Sequence, residues 1–377
     1  MNVTIILSCA MGLESVLKFE LYDLGYKELR IDNGFIALTG SLTDVCKLNM
    51  WCRTAGRVFI ELPTFEALTF DDLYDAISTI DWTPWLETDS RCTIDSVSSK
   101  NSDLYSKSDI QSITKKAIIS SLERSYNTSH FPETGAHVPI RVVINNNQVS
   151  LRLDTSGHGL NKRGYRTRFD APLRETLAAA MIKLSRWDPA NDVLLDPFCG
   201  SGTILIEAAM IANNIAPGAQ QSFCSEMWPI FSGDDWRLIK SQAQDSISPI
   251  PFRIYGSDNN PDILKTARYN FKRAGIDNIF VETKALTEIK SRFDKGKIIC
   301  NPPYGIRLEE QGAVHKLYAQ MGHHLPTNFP DWDYYILTGD EQFEDYFNKK
   351  ATKKRKLFNG KIRCDLYQFF NVSGKKS

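Results

Sequence analysis

Several things are missing from this 377-residue sequence, and each absence removes a class of function. Its eight cysteines, at positions 9, 46, 52, 92, 199, 224, 300 and 364, form no C-x-x-C pair and do not cluster with the six histidines. Metal-ligand spacing is therefore absent, and no metal is expected. Scattered cysteines of this kind point to a reducing, cytoplasmic setting. No apolar run approaches the ~20 residues of a membrane span. Residues 1–9 have no basic segment ahead of their short apolar run, so they do not read as a secretory signal. No internal repeat is present. Charge of one sign is also lacking, since 45 Lys+Arg balance 45 Asp+Glu. A neutral chain argues by itself against a polyanionic partner.

The distribution of charge says otherwise. Residues 1–95 carry 7 Lys+Arg against 15 Asp+Glu, and residues 96–168 carry 11 against 5. Residues 169–348 carry 17 against 24, and residues 349–377 carry 10 against 1. Two basic segments on a neutral chain are what a protein meeting a polyanion at defined places would show; solvated charged faces are the plainer alternative.

Length and periodicity predict three parts. Residues 1–62 alternate strand, helix, strand, strand, helix, strand, with Asn33-Gly34 as a hairpin turn, which is a ferredoxin-like unit. Residues 63–155 predict helices at 71–80 and 109–122, a strand at 92–97, and a hairpin of 140–144 with 149–153. Lys100, Lys107, Lys115 and Lys116 surround the start of the second helix, where the macrodipole disfavours cations. A bound anion would explain them. Residues 156–377 alternate strand and helix, from a helix opening near Asp170 and Pro172, which predicts a doubly wound, mostly parallel sheet. The stretch 213–252 reads as a long insertion.

Three motifs fall after strands of that last part. Asp196, Pro197, Phe198, Cys199, Gly200, Ser201, Gly202 and Thr203 form a glycine turn that opens a helix, a place where backbone approaches a ligand closely. A dinucleotide fingerprint needs glycine at position 205, where this chain has Leu205, so a nicotinamide oxidoreductase is disfavoured. The acid-proline start suits instead a ligand with an ammonium group facing Asp196. Asp258, followed by Asn259, ends the next strand, where an acid accepts hydrogen bonds from ribose hydroxyls; a helix cap is the plainer role. Asn301, Pro302, Pro303 and Tyr304 close an apolar strand. Two prolines end the ladder there and leave the Asn301 amide oxygen and the Pro302 carbonyl as acceptors beside an aromatic face. Such a set can hold the exocyclic amino group of a planar base.

At these residues the chain resembles S-adenosylmethionine-dependent methyltransferases that act on amino groups. More narrowly, it resembles the THUMP-bearing RNA guanine-N2 methyltransferases, which include YpsC-type proteins and the N-terminal part of the large 23S rRNA guanine-N2 methyltransferase. Residues 156–166, 171–179, 196–203, 301–308 and 359–364 carry the likeness, which extends more loosely before residue 150. The resemblance implies an α/β architecture: a Rossmann-like methyltransferase domain over 156–377, preceded by a ferredoxin-like α+β domain over 1–62 and a THUMP domain over 63–155. It implies S-adenosyl-L-methionine as cofactor and a structured RNA as partner, with 23S rRNA favoured over tRNA. Asn301, Pro302, Pro303 and Tyr304 would be catalytic. Asp196, Pro197, Phe198, Gly200, Ser201, Gly202, Thr203, Asp258 and Asn259 would bind cofactor. Lys100, Lys107, Lys115, Lys116, Lys162, Arg163 and Arg166 would contact RNA, with the basic tail that holds residues 353–356 adding a phosphate contact near the active site. Residues 156–377 would bind cofactor without residues 1–155.

One position departs from the pattern. Related enzymes place an aspartate after the third strand for the adenine amino group, and here that position holds Lys284. Adenine is left without an assigned partner. Other readings are a tRNA guanine-N2 methyltransferase, an amine methyltransferase acting on DNA or protein, and a non-catalytic RNA-binding assembly factor.

Overall fold

The computed structural model describes residues 1–166, 173–231, 233–304 and 308–370. The helix start expected at Asp170 and Pro172, residues 305–307 of the 301–308 segment, and residues 371–377 lie outside the described residues. The first part is β1 (Asn2–Cys9), α1 (Glu14–Asp23), β2 (Arg30–Asp32), β3 (Phe35–Ser41), α2 (Leu42–Trp51) and β4 (Ala55–Glu61), as the periodicity predicts. The second is β5 (Phe65–Glu66), α3 (Phe70–Ser78), β6 (Arg91–Lys100), α4 (Lys107–Tyr126), β7 (His137–Asn145) and β8 (Gln148–Asp154). Capping boxes start two of these helices, with Ser41 and Asp44 at α2 and Thr69 and Asp72 at α3. The β7–β8 hairpin turns through Asn146 and Asn147, both at positive φ, which asparagine tolerates.

The two parts share one eight-stranded sheet. Strand order is β2-β3-β1-β4-β8-β7-β6, with β5 paired to β8 off that path, and the seam is the antiparallel β4–β8 pairing of Phe59 with Asp154 and Glu61 with Arg152. Side chains alternate across it. Ile5, Leu7, Ile36, Leu38, Val58 and Ile60 enter the main core beneath α2, α3 and α4, while Ile6, Ala37 and Phe59 form a small separate cluster on the opposite face.

The third part is α5 (Glu175–Ser185), β9 (Val193–Asp196), α6 (Thr203–Ala212), α7 (Gly233–Asp245), β10 (Arg253–Asp258), α8 (Pro261–Arg273), β11 (Phe280–Thr283), β12 (Lys297–Cys300), α9 (Leu308–Asn328), β13 (Asp333–Thr338), α10 (Phe343–Phe347), β14 (Lys353–Asn359) and β15 (Ile362–Phe369). Its seven strands run β11-β10-β9-β12-β13-β15-β14, the first five parallel and β15 antiparallel. Strand order reverses between β9 and β12. That is the topological switch point, where a crevice opens beyond the strands' carboxyl ends.

The parts do not come apart cleanly, which corrects the expectation of an independent cofactor-binding domain. The insertion over 213–252 contains α7, whose Trp236, Ile239 and Ala243 join Phe223, Trp228 and Phe231 in the core of the N-terminal sheet. Val16 of α1 and Leu13 just before it pack in turn into the catalytic core. Arg355 of β14 donates to the Gly12 carbonyl and to Ser15, and Lys354 pairs with Glu344. The basic strand is therefore partly a docking edge, with only Lys353, Lys354 and Lys356 of its cations exposed.

A polar knot seals the junction. Arg163 and Glu207 are buried and paired, with Nε to Oε1 at 3.3 Å, and the Tyr165 hydroxyl donates to the same carboxylate at 3.0 Å. Arg163 also donates to the Arg53 carbonyl, Arg53 donates to the Ile215 carbonyl, and Glu20 accepts from Arg53 and Thr54. Arg163, read from the sequence as an RNA contact, is instead wholly committed inside the protein. Arg166 is corrected likewise. Its guanidinium donates to the Leu173 carbonyl and the Thr203 hydroxyl, each at 2.7 Å, and pairs with Glu175, which ties the linker to the starts of α5 and α6.

Candidate active site at the switch point

Each motif reaches the crevice because a strand ends there. β9 ends at Asp196, and the chain turns through Gly200 and Gly202, both at positive φ, into α6. The two glycines serve different needs. A Cβ on Gly202 would lie 2.4 Å from the Phe271 ring, so glycine there lets α8 pack closely. A Cβ on Gly200 would meet nothing within 4 Å, which leaves that side of the turn open. Position 205 is leucine because it fills space elsewhere: a Cβ on Gly256 of β10 would strike the Leu205 methyl at 2.5 Å.

β10 ends at Asp258, whose carboxylate accepts from the Gly200 N–H at 3.1 Å and the Asn260 N–H at 2.9 Å. Asn260, not Asp258, caps α8 by accepting from Asp262 and Ile263. The acid is thus aimed at the turn beside the cavity. Asp196 lies behind Pro197, almost wholly buried, with one oxygen accepting from the Phe198 N–H. Burial, aided by the neighbouring Asp258, pushes its carboxyl up to about 8, and no cation among the described residues opposes this. A buried Asp196 and a part-exposed Asp258 beside an open glycine turn make a fitting place for a positively charged ligand.

β12 ends at Asn301. The Pro303 carbonyl is anchored by the Tyr318 hydroxyl at 2.8 Å, which in turn meets Thr338, so the loop is held from α9 and β13. Among the described residues the Pro302 carbonyl takes no hydrogen bond, whereas the Asn301 amide oxygen accepts from the Tyr304 hydroxyl. Burial and the nearby Cys364 thiol hold the Tyr304 phenol far above its ordinary range, so it remains a proton donor.

The ends of β10 and β12 face one cavity of about 930 Å³, whose lining does not include Gly200 or Ser201 of the turn. Pro197, Phe198, Asp258 and Asn259 form one wall, Asn301, Pro302, Pro303 and Tyr304 another, and Lys284 and Ala285 a third. Asp196, Gly202 and Thr203 stand behind the wall, and Thr203 spends its hydroxyl on Arg166. Ser201 presents its carbonyl to Asn270. Lys284 Nζ pairs with Glu282 at 2.9 Å. Leu317 and Gln320 of α9 and Asn359 and Ile362 of the β14–β15 hairpin also line the cavity. None of them is assigned a role by sequence, although Asn359 and Ile362 fall in the 359–364 segment that carries the family likeness. A second cavity of about 240 Å³ lies beyond Tyr304, bordered by His315, Asp340, Glu341 and Gln342.

The expected RNA contacts divide. Lys100, Lys107, Lys116 and Lys162 are exposed. Lys115 is only part-exposed, bonding the Cys92 carbonyl and Glu133, so it braces α4 against β6. Lys107 opens α4, but Lys115 and Lys116 lie two turns into it, away from its start. Among the described residues no metal-holding cluster occurs, and no helix is long and apolar enough to cross a membrane.

Comparison with known proteins converges on the same regions. A family model described as an RMKL-like methyltransferase domain matches residues 163–368, an RlmL ferredoxin-like domain matches 4–59, and a THUMP domain matches 67–154. The putative RNA methyltransferase YpsC of Bacillus subtilis is 38% identical over 98% of this chain and 96% of its own length. The ribosomal RNA large subunit methyltransferase K/L of Psychromonas ingrahamii is 34% identical over 97% of this chain, which spans 50% of that protein. Three solved structures superpose closely. A possible methylase from Clostridium difficile gives a TM-score of 0.95 at 39% identity, covering 100% of both chains. A putative methyltransferase complexed with SAH gives 0.92 at 36%, covering 100% of this chain and 99% of that one. A protein from Listeria monocytogenes described as a predicted N6-adenine-specific DNA methylase gives 0.92 at 37%, covering 98% and 97%.

Proposed function

We propose a reaction from the premise that this chain belongs to the RMKL-like methyltransferase family, with a ferredoxin-like and a THUMP domain ahead of the catalytic one. The chain transfers a methyl group from S-adenosylmethionine to the exocyclic N2 of a guanine in structured RNA. Large-subunit ribosomal RNA is favoured over tRNA, in keeping with the names of its K/L relatives, of which it spans about half. Asp258 would accept from the ribose hydroxyls, and the open side of Gly200 would lie against the cofactor's methionine part. When bound, the cofactor supplies an electrophilic methyl group.

The observation that carries this reading is the pair of acceptors at the end of β12, the Asn301 amide oxygen and the Pro302 carbonyl, in one cavity with Asp258. A guanine N2 lone pair is delocalised into the ring and attacks poorly. Two acceptors on its N–H bonds favour a pyramidal nitrogen, an interaction that strengthens toward the transition state. No strong base is needed, because the proton can leave after transfer. Exposed Lys100, Lys107, Lys116 and Lys162 supply phosphate contacts.

The test is to incubate the protein and methyl-labelled cofactor separately with 23S rRNA, tRNA and duplex DNA, then identify labelled nucleosides by mass spectrometry. N2-methylguanosine from 23S rRNA is expected. Label in N6-methyladenine would transfer the reading to the activity predicted for the Listeria monocytogenes protein named above, and no label in any substrate would favour a binding protein.

A further inference from the structure

The cavity wall beyond Asp258 holds a cation that the proposed reaction does not use. Lys284 follows β11 by one residue, and the parallel register that sets Asp258 opposite Thr283 brings the two strand ends level. The Lys284 N–H donates to the Asp258 carbonyl at 3.1 Å, which ties its main chain to the residue assigned to the ribose. Its side chain lines the cavity together with Ala285, Leu286 and Thr287. Among the described residues that line the cavity, Asp258 carries the only carboxylate and Lys284 the only cation.

Strand order decides what lies along this wall. β10 stands between β9 and β11. The Asp258 carboxylate is held from the β9 side by the Gly200 N–H. A nucleoside whose ribose meets Asp258, and whose amino-acid chain runs toward the Gly200 turn, carries its base to the other side, over the end of β11. There the edge of the base meets Lys284, and Leu286 supplies apolar surface.

We infer that Lys284 reads the cofactor's base by donating to a ring acceptor, and that this chain therefore does not require the 6-amino group of adenine. A lysine ammonium has three donors and no acceptor. One donor goes to Glu282 Oε2 at 2.9 Å, which leaves two for the cavity and limits where they point. The ring nitrogens of adenine accept such bonds, whereas its 6-amino group donates. An amino group facing Lys284 gains nothing there, and a 6-oxo group in the same place accepts. Asn259 and Thr287, the other polar side chains of this wall, are exposed and make no side-chain hydrogen bond among the described residues. Neither is preset as an acceptor, so each would lose freedom on taking an amino proton.

An ion pair that served only the strand end would stand in bulk solvent, and this one does not. The side chains of Lys284 and Glu282 are 33% and 31% exposed, and of the two only Lys284 borders the cavity. Glu282 thus acts from behind, holding the ammonium in place. A part-exposed pair of this kind contributes little to folding. Replacing Lys284 should therefore leave the protein intact and show what the ammonium does for the base.

The inference rests on Asp258 holding the ribose, and the experiment separates the two. The full chain is titrated calorimetrically with S-adenosylhomocysteine and with S-inosylhomocysteine, in which an oxo group replaces the 6-amino group. The parent should bind the oxo compound no more than about 3-fold more weakly than the amino compound. Lys284→Met keeps the stem and removes the donors. It should weaken both compounds about 3- to 30-fold and leave the thermal midpoint of the ligand-free chain unchanged. Lys284→Asp exchanges donors for an acceptor and should create a preference for the amino compound of about 10-fold or more. If the parent already prefers the amino compound by about 10-fold or more, or if Lys284→Met binds both compounds as the parent does, the role of Lys284 is rejected while the cofactor reading stands. If Asp258→Ala leaves both affinities unchanged, the ribose assignment falls and the inference with it.

Discussion

Replacing Tyr304 with phenylalanine removes one oxygen, and the fold determines what that oxygen holds. The hydroxyl occupies the Asn301 amide oxygen, the same acceptor assigned to the substrate amino group. The base amino group competes with it for that oxygen, which has two lone pairs. A neutral hydrogen bond is worth about 0.5–1.5 kcal/mol net, so losing it from the empty site should strengthen base capture roughly 2- to 10-fold. The ring remains, and with it any stacking on the base. Tyr304→Ala removes the ring as well and should weaken capture by about 1–3 kcal/mol. Asn301→Ala acts differently. It removes an acceptor felt mainly in the transition state and should slow transfer about 10²-fold or more. Single-turnover rates at increasing protein concentration, with 23S rRNA as substrate, separate the half-saturating concentration from the limiting rate. The phenylalanine variant should keep a limiting rate within about 3-fold of the parent. A limiting rate as low as that of Asn301→Ala would refute the reasoning, because the hydroxyl would then belong to the chemical step.

Asp258→Ala should weaken S-adenosylmethionine by roughly 2–4 kcal/mol in calorimetric titration while leaving RNA affinity unchanged; unaltered cofactor affinity in a folded variant rejects the ribose assignment. The Asp196 carboxyl, pushed up to about 8 from 3.8, binds a proton in the folded state that the unfolded chain releases. Ligand-free stability should therefore fall as pH rises from about 4 to about 8, and Asp196→Asn should flatten that slope in thermal melts. Glu207→Ala strands the buried Arg163 and should cost about 3–5 kcal/mol in urea unfolding. A fragment of residues 156–377 should not fold, since α7 and residues 216–231 lose their partners; a soluble, cofactor-binding fragment would show that the junction is dispensable.

Much of the fold was legible because local signals agreed with it. The ferredoxin-like order, the β7–β8 hairpin and the Asn-Pro-Pro-Tyr strand end each combine periodicity with turn chemistry. What escaped the sequence depends on contacts between distant segments. Nothing local says that β4 pairs with β8, some ninety residues away. α7 has an apolar stripe at 236, 239 and 243, yet the surrounding Pro, Gln and Ser made it read as insertion. Arg163 stands in a basic stretch beside Lys162, and only the fold shows that one points out and the other inward to Glu207. Asn301 and Asp258 were legible because strand ends in a doubly wound sheet converge, whereas Gln320 and Asn359 arrive from a helix face and a hairpin that carry no such rule.

The junction also constrains how a base can reach Asn301. α6 opens at the glycine turn and carries Glu207, where Arg163 and Tyr165 of the linker converge. Arg163 reaches on to Arg53, and Arg53 to Glu20 and Ile215, so buried charge-assisted bonds run from the catalytic sheet to the N-terminal one. A hinge uses a small, wet interface, and this one is neither. Moving the N-terminal sheet relative to the cavity would expose several buried charges together. The separation between the N-terminal sheet and Asn301 is thus fixed by the fold, and on the proposed reading an RNA held by that sheet would bring its base across the distance by unstacking it. Small-angle scattering of the free chain and of its complex with a short RNA hairpin should give the same protein envelope; domain closure on binding would show that the knot yields and that selection works by movement.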